Sequence, residues 1–253
     1  MNLSDVKLFV AVPAYKTVDT DFVVSLLDLS TVMRNKGAYS EIHFVTGSSL
    51  VMCARNELVE RFLASECTHL MFIDSDIVFT PEQVLELIDH ASPEKKVICG
   101  LHPKKKVNWE LIHHITNLGA PVPVLETQSG TLDDSLFSPI DPPTESNLPV
   151  RVEKAGSGFI MIERSVFTTI KEKFPEYAFH EKKNYEEGFA KLYAWYDTRF
   201  VIKDGVNQQL GEDVSFCYLC RDAGIEIWCC PWINVGHIGN MEYKTHVNYV
   251  RNN

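Results

Sequence analysis

His69-Leu70-Met71-Phe72-Ile73-Asp74-Ser75-Asp76 is an apolar run that ends in two carboxylates one residue apart. A short apolar run closed by polar turn residues reads as a buried strand. Strands and helices alternate on either side of it. Upstream, residues 6–12 (Val-Lys-Leu-Phe-Val-Ala-Val) read as a strand ending at Pro13. Residues 19–36 read as a helix, with Phe22, Leu26, Leu29, Ser30 and Met33 at intervals of three and four and Gly37 as its stop. Residues 41–45 form a second strand, and residues 50–64 a helix with Val51, Ala54, Leu58 and Phe62 on one face. Downstream, Thr80-Pro81 opens a helix as N-cap and first-turn proline, carrying Val84, Leu85 and Ile88. Residues 96–99 are a fourth strand. This order predicts parallel pairing through right-handed crossovers, an α/β sheet covered on both faces.

Beyond residue 100 the alternation breaks. Pro121, Pro123, Pro139, Pro142, Pro143 and Pro149, half of the chain's 12 prolines, fall between residues 119 and 150. Regular helix is not expected there, and the stretch reads as a lid or as extended chain with edge strands. Residues 158–163 are again an apolar strand, followed by a helix capped by Ser165. Residues 181–196 show no firm period. Residues 212–223 read as a short helix stopped by Gly224, and residues 225–230 as a last strand before Pro231 and Trp232. No repeat, low-complexity segment or linker marks a domain cut. The expectation is one domain over residues 1–253, with a nucleotide-binding half (1–100) and an acceptor-binding half (101–253).

The 253 residues are 45% hydrophobic and 23% charged, and no apolar stretch approaches the ~18 residues of a membrane helix. A net charge of −10 argues against a dedicated nucleic-acid binder and a polybasic membrane-surface protein. The start, Met-Asn-Leu-Ser-Asp, shows no secretory signal. Seven cysteines, an odd number, favour free thiols and a cytoplasmic, reducing compartment. Cys217-x-x-Cys220 with Cys229-Cys230 suggests zinc, but adjacent cysteines serve a tetrahedral site poorly. Buried thiols packed as small hydrophobes are the better expectation.

Asp74 and Asp76 follow a buried strand at the carboxyl edge of a parallel sheet, where open α/β sheets bind ligands. Alternate residues of extended chain point the same way, so both carboxylates are expected to face one ligand. Two such charges call for a cation, and their oxygens suit Mg²⁺ or Mn²⁺. The competing reading, a cap on the next helix, is weakened because that helix has Thr80 as its own cap.

With these residues in place, the chain resembles the nucleotide-sugar-dependent glycosyltransferases of the GT-A fold, a single Rossmann-like domain with a central, mostly parallel sheet and a smaller C-terminal acceptor-side portion. The resemblance rests on the strand ending Val-Pro-Ala-Tyr, on Cys53-Ala54-Arg55-Asn56, and on Asp74-Ser75-Asp76. Gly156-Ser157-Gly158-Phe159, Gly211-Glu212-Asp213 and Gly236-His237 extend it in the right order over most of residues 6–240. It implies that Pro13, Ala14 and Tyr15 touch the nucleoside, with Tyr15 stacking on the base. Arg55 would reach the base or a phosphate, or else be a surface helix arginine. Asp74 and Ser75 would bind the donor, Asp74 through the ribose or a metal-bound water. Asp76 would bind Mn²⁺ or Mg²⁺ directly, with His237 as a further ligand, and Asp74 is counted among the metal residues. Gly156 and Gly158 would line the donor and acceptor sites. Asp213 would be the general base of an inverting transfer and Glu212 would orient the acceptor, against the plainer reading that both acids stabilise a helix dipole.

His102-Pro103-Lys104-Lys105-Lys106 reads as a solvated loop on the same edge, from which a lysine, Lys104 first, could meet the diphosphate. Trp109, Trp195 and Tyr196 are candidate sugar platforms. The acceptor would be a hydroxyl of a glycan, glycoprotein, lipid-linked intermediate or modified nucleic-acid base. Two alternatives stand beside transfer from a uridine-type donor. A nucleotidyltransferase would carry a glycine-rich loop where this chain has Pro-Ala-Tyr-Lys-Thr. A non-catalytic sugar- or nucleotide-binding domain would lack a base such as Asp213.

Overall fold

The computed structural model describes residues 1–127, 130–131, 138–140, 147–184, 188–203 and 205–239. The first elements are β1 (Lys7–Ala14), α1 (Thr20–Asn35), β2 (Tyr39–Thr46), α2 (Val51–Ala64), β3 (His69–Ile73), β4 (Ile77–Val78), α3 (Pro81–His90) and β5 (Val97–Leu101). Then come β6 (Lys104–Val107), α4 (Trp109–Asn117), α5 (Val122–Thr127), β7 (Gly130–Thr131), β8 (Val150–Val152), β9 (Phe159–Glu163) and α6 (Arg164–Lys173). The last are β10 (Ala178–Asn184), β11 (Gly188–Tyr193), β12 (Arg199–Lys203), β13 (Val206–Leu210), α7 (Glu212–Asp222), β14 (Ile227–Asn234) and β15 (Gly236–His237).

Strand β1 shows why the sheet is covered on both faces. Leu8, Val10 and Val12 pack with Met71 and Ile73 of β3 against Phe22, Leu26 and Leu29 of α1 and Val84, Leu87 and Ile88 of α3. The alternate residues Phe9 and Ala11 join Leu70 and Phe72 in a second core with α2, α6 and α7. A strand buried on both faces must be apolar throughout rather than alternating, as β3 is. The result is a mixed α/β fold with a seven-stranded central sheet in the order β2-β1-β3-β9-β5-β14-β8. Strands β2, β1, β3, β5 and β14 run one way, while β9 and β8 run against them.

Several elements differ from the sequence reading. The fourth strand of the alternation, β5, does not lie beside β3. The reversed strand β9 stands between them, pairing Phe72 with Ile160 and Cys99 with Ile160. Periodicity reports burial but not order, and the all-apolar Phe159-Ile160-Met161-Ile162 suits a central position. The proline-rich stretch contains a helix, α5. Pro123 lies in its first turn, where a missing N–H costs nothing. Helix α6 has Glu163 as its N-cap residue, and Ser165 instead donates to the Glu163 carboxylate at 2.8 Å. The lysine run is strand β6, paired with β7, rather than a loop. The hairpins β10–β11 and β12–β13 had no clear signal, because both lie outside the central sheet. Six of the seven cysteines are buried and free, and Cys53 is exposed.

Gly100 of β5 leaves no room for a side chain. A Cβ there would stand 2.7 Å from Ile233 Cγ2 and 3.1 Å from Phe159 Cδ1. Gly100→Ala is expected to lower stability by about 1–3 kcal/mol by overpacking, read from urea unfolding.

Candidate functional site

Parallel strands deliver their carboxyl ends to one edge, so Ala14 at the end of β1, Tyr15 after it, Asp74 after β3 and His102 after β5 gather there. Residues 74–76 form a tight turn, with Ile77 N donating to Asp74 O at 3.0 Å. Strand β15 then pairs with β4, setting His237 opposite Ile77, and Ile238 N donates to Asp76 O at 2.9 Å. This pairing brings His237 to Asp76 from 161 residues away in sequence.

The turn corrects one expectation. The chain at residues 74–76 is turned rather than extended, and the two carboxylates take different protein partners. Asp74 turns to Arg55, whose Nη2 donates to Oδ1 at 3.0 Å and to Oδ2 at 3.2 Å. Arg55 is no surface arginine, being 2% exposed. Its Nη1 donates to Ser157 O at 3.3 Å, and the guanidinium lies over Phe72 at 5.1 Å and Tyr196 at 5.7 Å. Its Nε stands 3.9 Å from Asp213 Oδ1, and both atoms are buried without a hydrogen bond among the described residues. The neighbouring Asn56 donates to Tyr196 O at 2.9 Å and accepts from Tyr196 N at 2.8 Å. Trp195 and Tyr196 are fully buried, which removes them as sugar platforms; Tyr196 instead supports Arg55.

Asp76 has separate partners. The Lys105 ammonium donates to Oδ2, and His237 Nε2 lies 3.4 Å from Oδ1. The other ring nitrogen of His237, Nδ1, is 2.7 Å from Pro103 O. A carbonyl only accepts, so Nδ1 carries a proton and Nε2 of the neutral ring would turn its lone pair on a carboxylate. Two acceptors face one another stably only with a proton or a cation between them. Accordingly, the hydrogen bond to Asp76 pushes the His237 imidazole above its ordinary value despite burial. Burial would raise Asp76, but His237 and Lys105 outweigh it and bring the carboxyl down to about 2. An imidazole fixed by a carbonyl on one nitrogen, with the other on a carboxylate, suits a divalent cation. Of the three proposed metal residues, then, Asp76 and His237 meet, while Asp74 is paired with Arg55. Among the described residues no group of three His, Cys, Asp or Glu side chains is gathered tightly enough to hold a metal.

Gly158 joins the two sides. It accepts from Asp74 N at 3.0 Å, and a Cβ on it would lie 3.1 Å from Asp74 Oδ2 and 3.2 Å from His102 Nε2. The His102 ring stands perpendicular to that of His237, 5.5 Å away, and burial holds its imidazole below the usual value. Glu212 and Asp213 open α7, with Gly211 as N-cap. Burial, and then the Asp213 charge, raise the Glu212 carboxyl. The Asp213 side chain keeps 22% exposure although Oδ1 is buried, so its open part lies away from Arg55.

Pro13 and Ala14 are buried, whereas Tyr15 is 57% exposed at the end of β1. Ser75 is half-buried at the apex of the turn, and Gly156 is buried two residues before Gly158. Lys104 is exposed, and the lysine on Asp76 is its neighbour Lys105. Trp109 is 63% exposed on α4. Sequence reasoning left His102, Lys105 and Asn56 without individual roles. The position of His102 directly after β5 was the available signal. Nothing in the pattern separated Lys105 from the lysines beside it.

No protein-family model matches the chain, and a search of curated proteins returns no match. Solved structures similar to it include the A197 protein of STIV, with 16% identity, 92% of this chain and 86% of that chain covered, and a TM-score of 0.48. Another is a mutant Drosophila β1,4-galactosyltransferase 7 in complex with manganese, UDP-Gal and xylobiose, with 9% identity, 98% and 80% covered, and a TM-score of 0.44. A third is glucosyl-3-phosphoglycerate synthase from Mycobacterium tuberculosis with Mn²⁺ and UDP-glucose, with 13% identity, 98% and 76% covered, and a TM-score of 0.39. At these scores the likeness is loose, and the functional reading rests on this chain's own residues. No helix among the described residues is long and apolar enough to cross a membrane.

Arg55→Met would leave Asp74 and Asp213 beside an apolar wall, and a loss of about 3 kcal/mol is expected in urea unfolding. The Asp76–His237 pair makes a pH-dependent contribution. Depression of Asp76 stabilises the fold above its usual value of 3.8 and is lost as pH falls through about 2. Elevation of His237 stabilises below 6.5 and is lost as pH rises through its raised value. In EDTA, the Tm difference between the wild type and Asp76→Asn is therefore expected to be largest between the ordinary values of the two groups, 3.8 and 6.5, and to shrink as pH rises through the raised His237 value. A flat difference across that range would contradict the pairing.

Proposed function

We propose that this chain is a metal-dependent glycosyltransferase of the GT-A fold, moving a sugar from a nucleoside diphosphate sugar, with uridine as the favoured base, to an acceptor hydroxyl. The observation that supports this most is the meeting of Asp76 with a tautomer-fixed His237 on the edge that also holds Arg55, Asp74 and Asp213.

Charge argues for a cation. Asp74, Asp76, Glu212 and Asp213 lie on one edge of a chain with net charge −10, and the Arg55 charge is already taken up by Asp74 and Asp213. A donor diphosphate adds further negative charge. Asp76 and His237 would hold Mn²⁺ or Mg²⁺, which when bound neutralises the diphosphate as it leaves. Tyr15 offers an exposed ring for the base, and the open edge of Asp74 faces the ribose. Gly158 lets the donor approach the strand because it has no side chain.

Asp213 is the proposed base. The Arg55 charge lies 3.9 Å from the buried Asp213 oxygen, and the open part of the Asp213 side chain is the part left for an acceptor. The acceptor oxygen attacks the anomeric carbon, the bond to the diphosphate breaks, and the hydroxyl proton passes to Asp213. One displacement of this kind inverts the anomeric centre. Glu212, whose carboxyl burial and then the Asp213 charge raise, lies beside the base and is placed to hydrogen-bond the acceptor.

The test is a panel of nucleotide sugars with Mn²⁺, read by thermal shift and slow donor hydrolysis. One donor is expected to stabilise the protein, and Asp76→Asn is expected to abolish that metal-dependent shift. Asp213→Asn should keep the shift and lose transfer by about 10²- to 10⁴-fold. If no nucleotide sugar stabilises the protein or is turned over, the proposal fails.

A further inference from the structure

Lys105 is the one lysine of its run whose ammonium meets Asp76, and two features hold it there. It lies on β6, whose pairing with β7 fixes the strand outside the central sheet. Its stem crosses Gly239 so closely that a Cβ on the glycine would come within 3.1 Å of Lys105 Cβ and 3.3 Å of its Cγ and Cδ. The lysine path and the chain just past His237 are therefore matched to each other. Lys105 and His237 approach different oxygens of the same carboxylate, Oδ2 and Oδ1. The positive charge that Asp76 demands is thus supplied from within the protein.

We infer that Lys105 and the divalent cation are alternative partners of Asp76, and that the displaced ammonium becomes a ligand of the donor diphosphate. The inference rests on the metal-dependent reading above. A divalent cation on Asp76 and His237 repels an ammonium on the other oxygen of the same carboxylate, and this repulsion favours release of Lys105 as the cation enters. Its side chain is 43% exposed, so the ammonium can move without unpacking the core. A diphosphate bound at Asp76 lies within reach of a flexible four-carbon stem, and a lysine ammonium is a point charge suited to phosphate oxygens. Cation and donor would then enter together: the cation alone must displace Lys105, while the donor gives the displaced ammonium a new partner.

The experiment uses the whole chain. Mn²⁺ is titrated alone by loss of its free-ion EPR signal. A second titration, at saturating Mn²⁺, uses whichever of UDP, GDP, CDP and ADP binds the wild type most tightly. Lys105→Gln is expected to bind Mn²⁺ alone about three- to tenfold more tightly and the nucleotide more weakly by a similar factor. Lys106→Gln, which removes the same charge one residue away, should change neither titration. Equal behaviour of the two variants, with Mn²⁺ binding still abolished by Asp76→Asn, would overturn the displacement while leaving the metal site in place. Mn²⁺ binding that is absent with every nucleotide, or unaffected by Asp76→Asn, would overturn the metal-dependent reading itself.

Discussion

Taking a guanidinium out of water costs several kcal/mol unless its charge and its N–H groups are met. Arg55 meets that cost with Asp74, Ser157 O, the faces of Phe72 and Tyr196, and the charge of Asp213. Burial alone would favour losing its proton, but Asp74 and then Asp213 hold it firmly charged. The consequence is geometric. Asp74 ends β3, Ser157 precedes β9 and Asp213 opens α7, so one side chain of α2 fixes three segments distant in sequence. Asn56 and Glu60 extend the same anchorage, the first to the Tyr196 backbone and the second to the Trp195 indole at 3.0 Å. Helix α2 is thus the beam to which the later half of the chain is attached.

A second constraint follows from the charge on the edge. Four carboxylates gather where the parallel strands end, and each has a separate means of being tolerated. Asp74 and Asp213 share Arg55, Asp76 has Lys105 and His237, and Glu212 retains its proton more readily because it is buried beside Asp213. This division assigns different chemistry to acids that look alike. An acid tied to a buried arginine is an anchored acceptor, whereas under the proposed function one held by an exposed ammonium and a histidine exchanges those partners for a metal. The tautomer of His237, set by Pro103 O, is the one that reading requires, because the nitrogen facing Asp76 carries a free lone pair once its proton is gone.

Much of the first half was legible because its burial pattern is simple. The run His69–Ile73 is apolar throughout since both faces are covered, and the helices facing it carry single apolar stripes. The residues of the site were legible as types but less so as partners. Asp76 and His237 come together through the two-residue pairing of β15 with β4, too short to leave a periodic signal. Arg55 read equally as a donor contact and as a surface helix arginine, because a helix position reveals its face only when its neighbours are known. The lysine run gave three candidates, and the sequence favoured Lys104. The path over Gly239 selects Lys105, and no local pattern contains that contact. Trp195 and Tyr196 were candidate platforms beside the plainer reading of aromatic residues as core, and the plainer reading holds: α2 and α7 cover them, with Phe216 stacked on Tyr196 at 4.6 Å.

The reversed strand β9 explains why the two halves can share a site. Every parallel strand brings its carboxyl end to the ligand edge and carries its amino end away from it. A parallel strand in the place of β9 would have set Glu163 and the start of α6 beside Asp74. Because β9 runs the other way, it is the beginning of the strand, Gly156-Ser157-Gly158, that arrives there. That beginning supplies the carbonyl that Arg55 grips, the carbonyl that accepts from Asp74 N, and a residue with no side chain to block Asp74 and His102. The inversion of one central strand is therefore what lets a segment beyond residue 150 face the carboxyl edge built by the first hundred residues. Insertion between β3 and β5 also places it in the middle of that edge, with Asp74 on one side and His102 on the other.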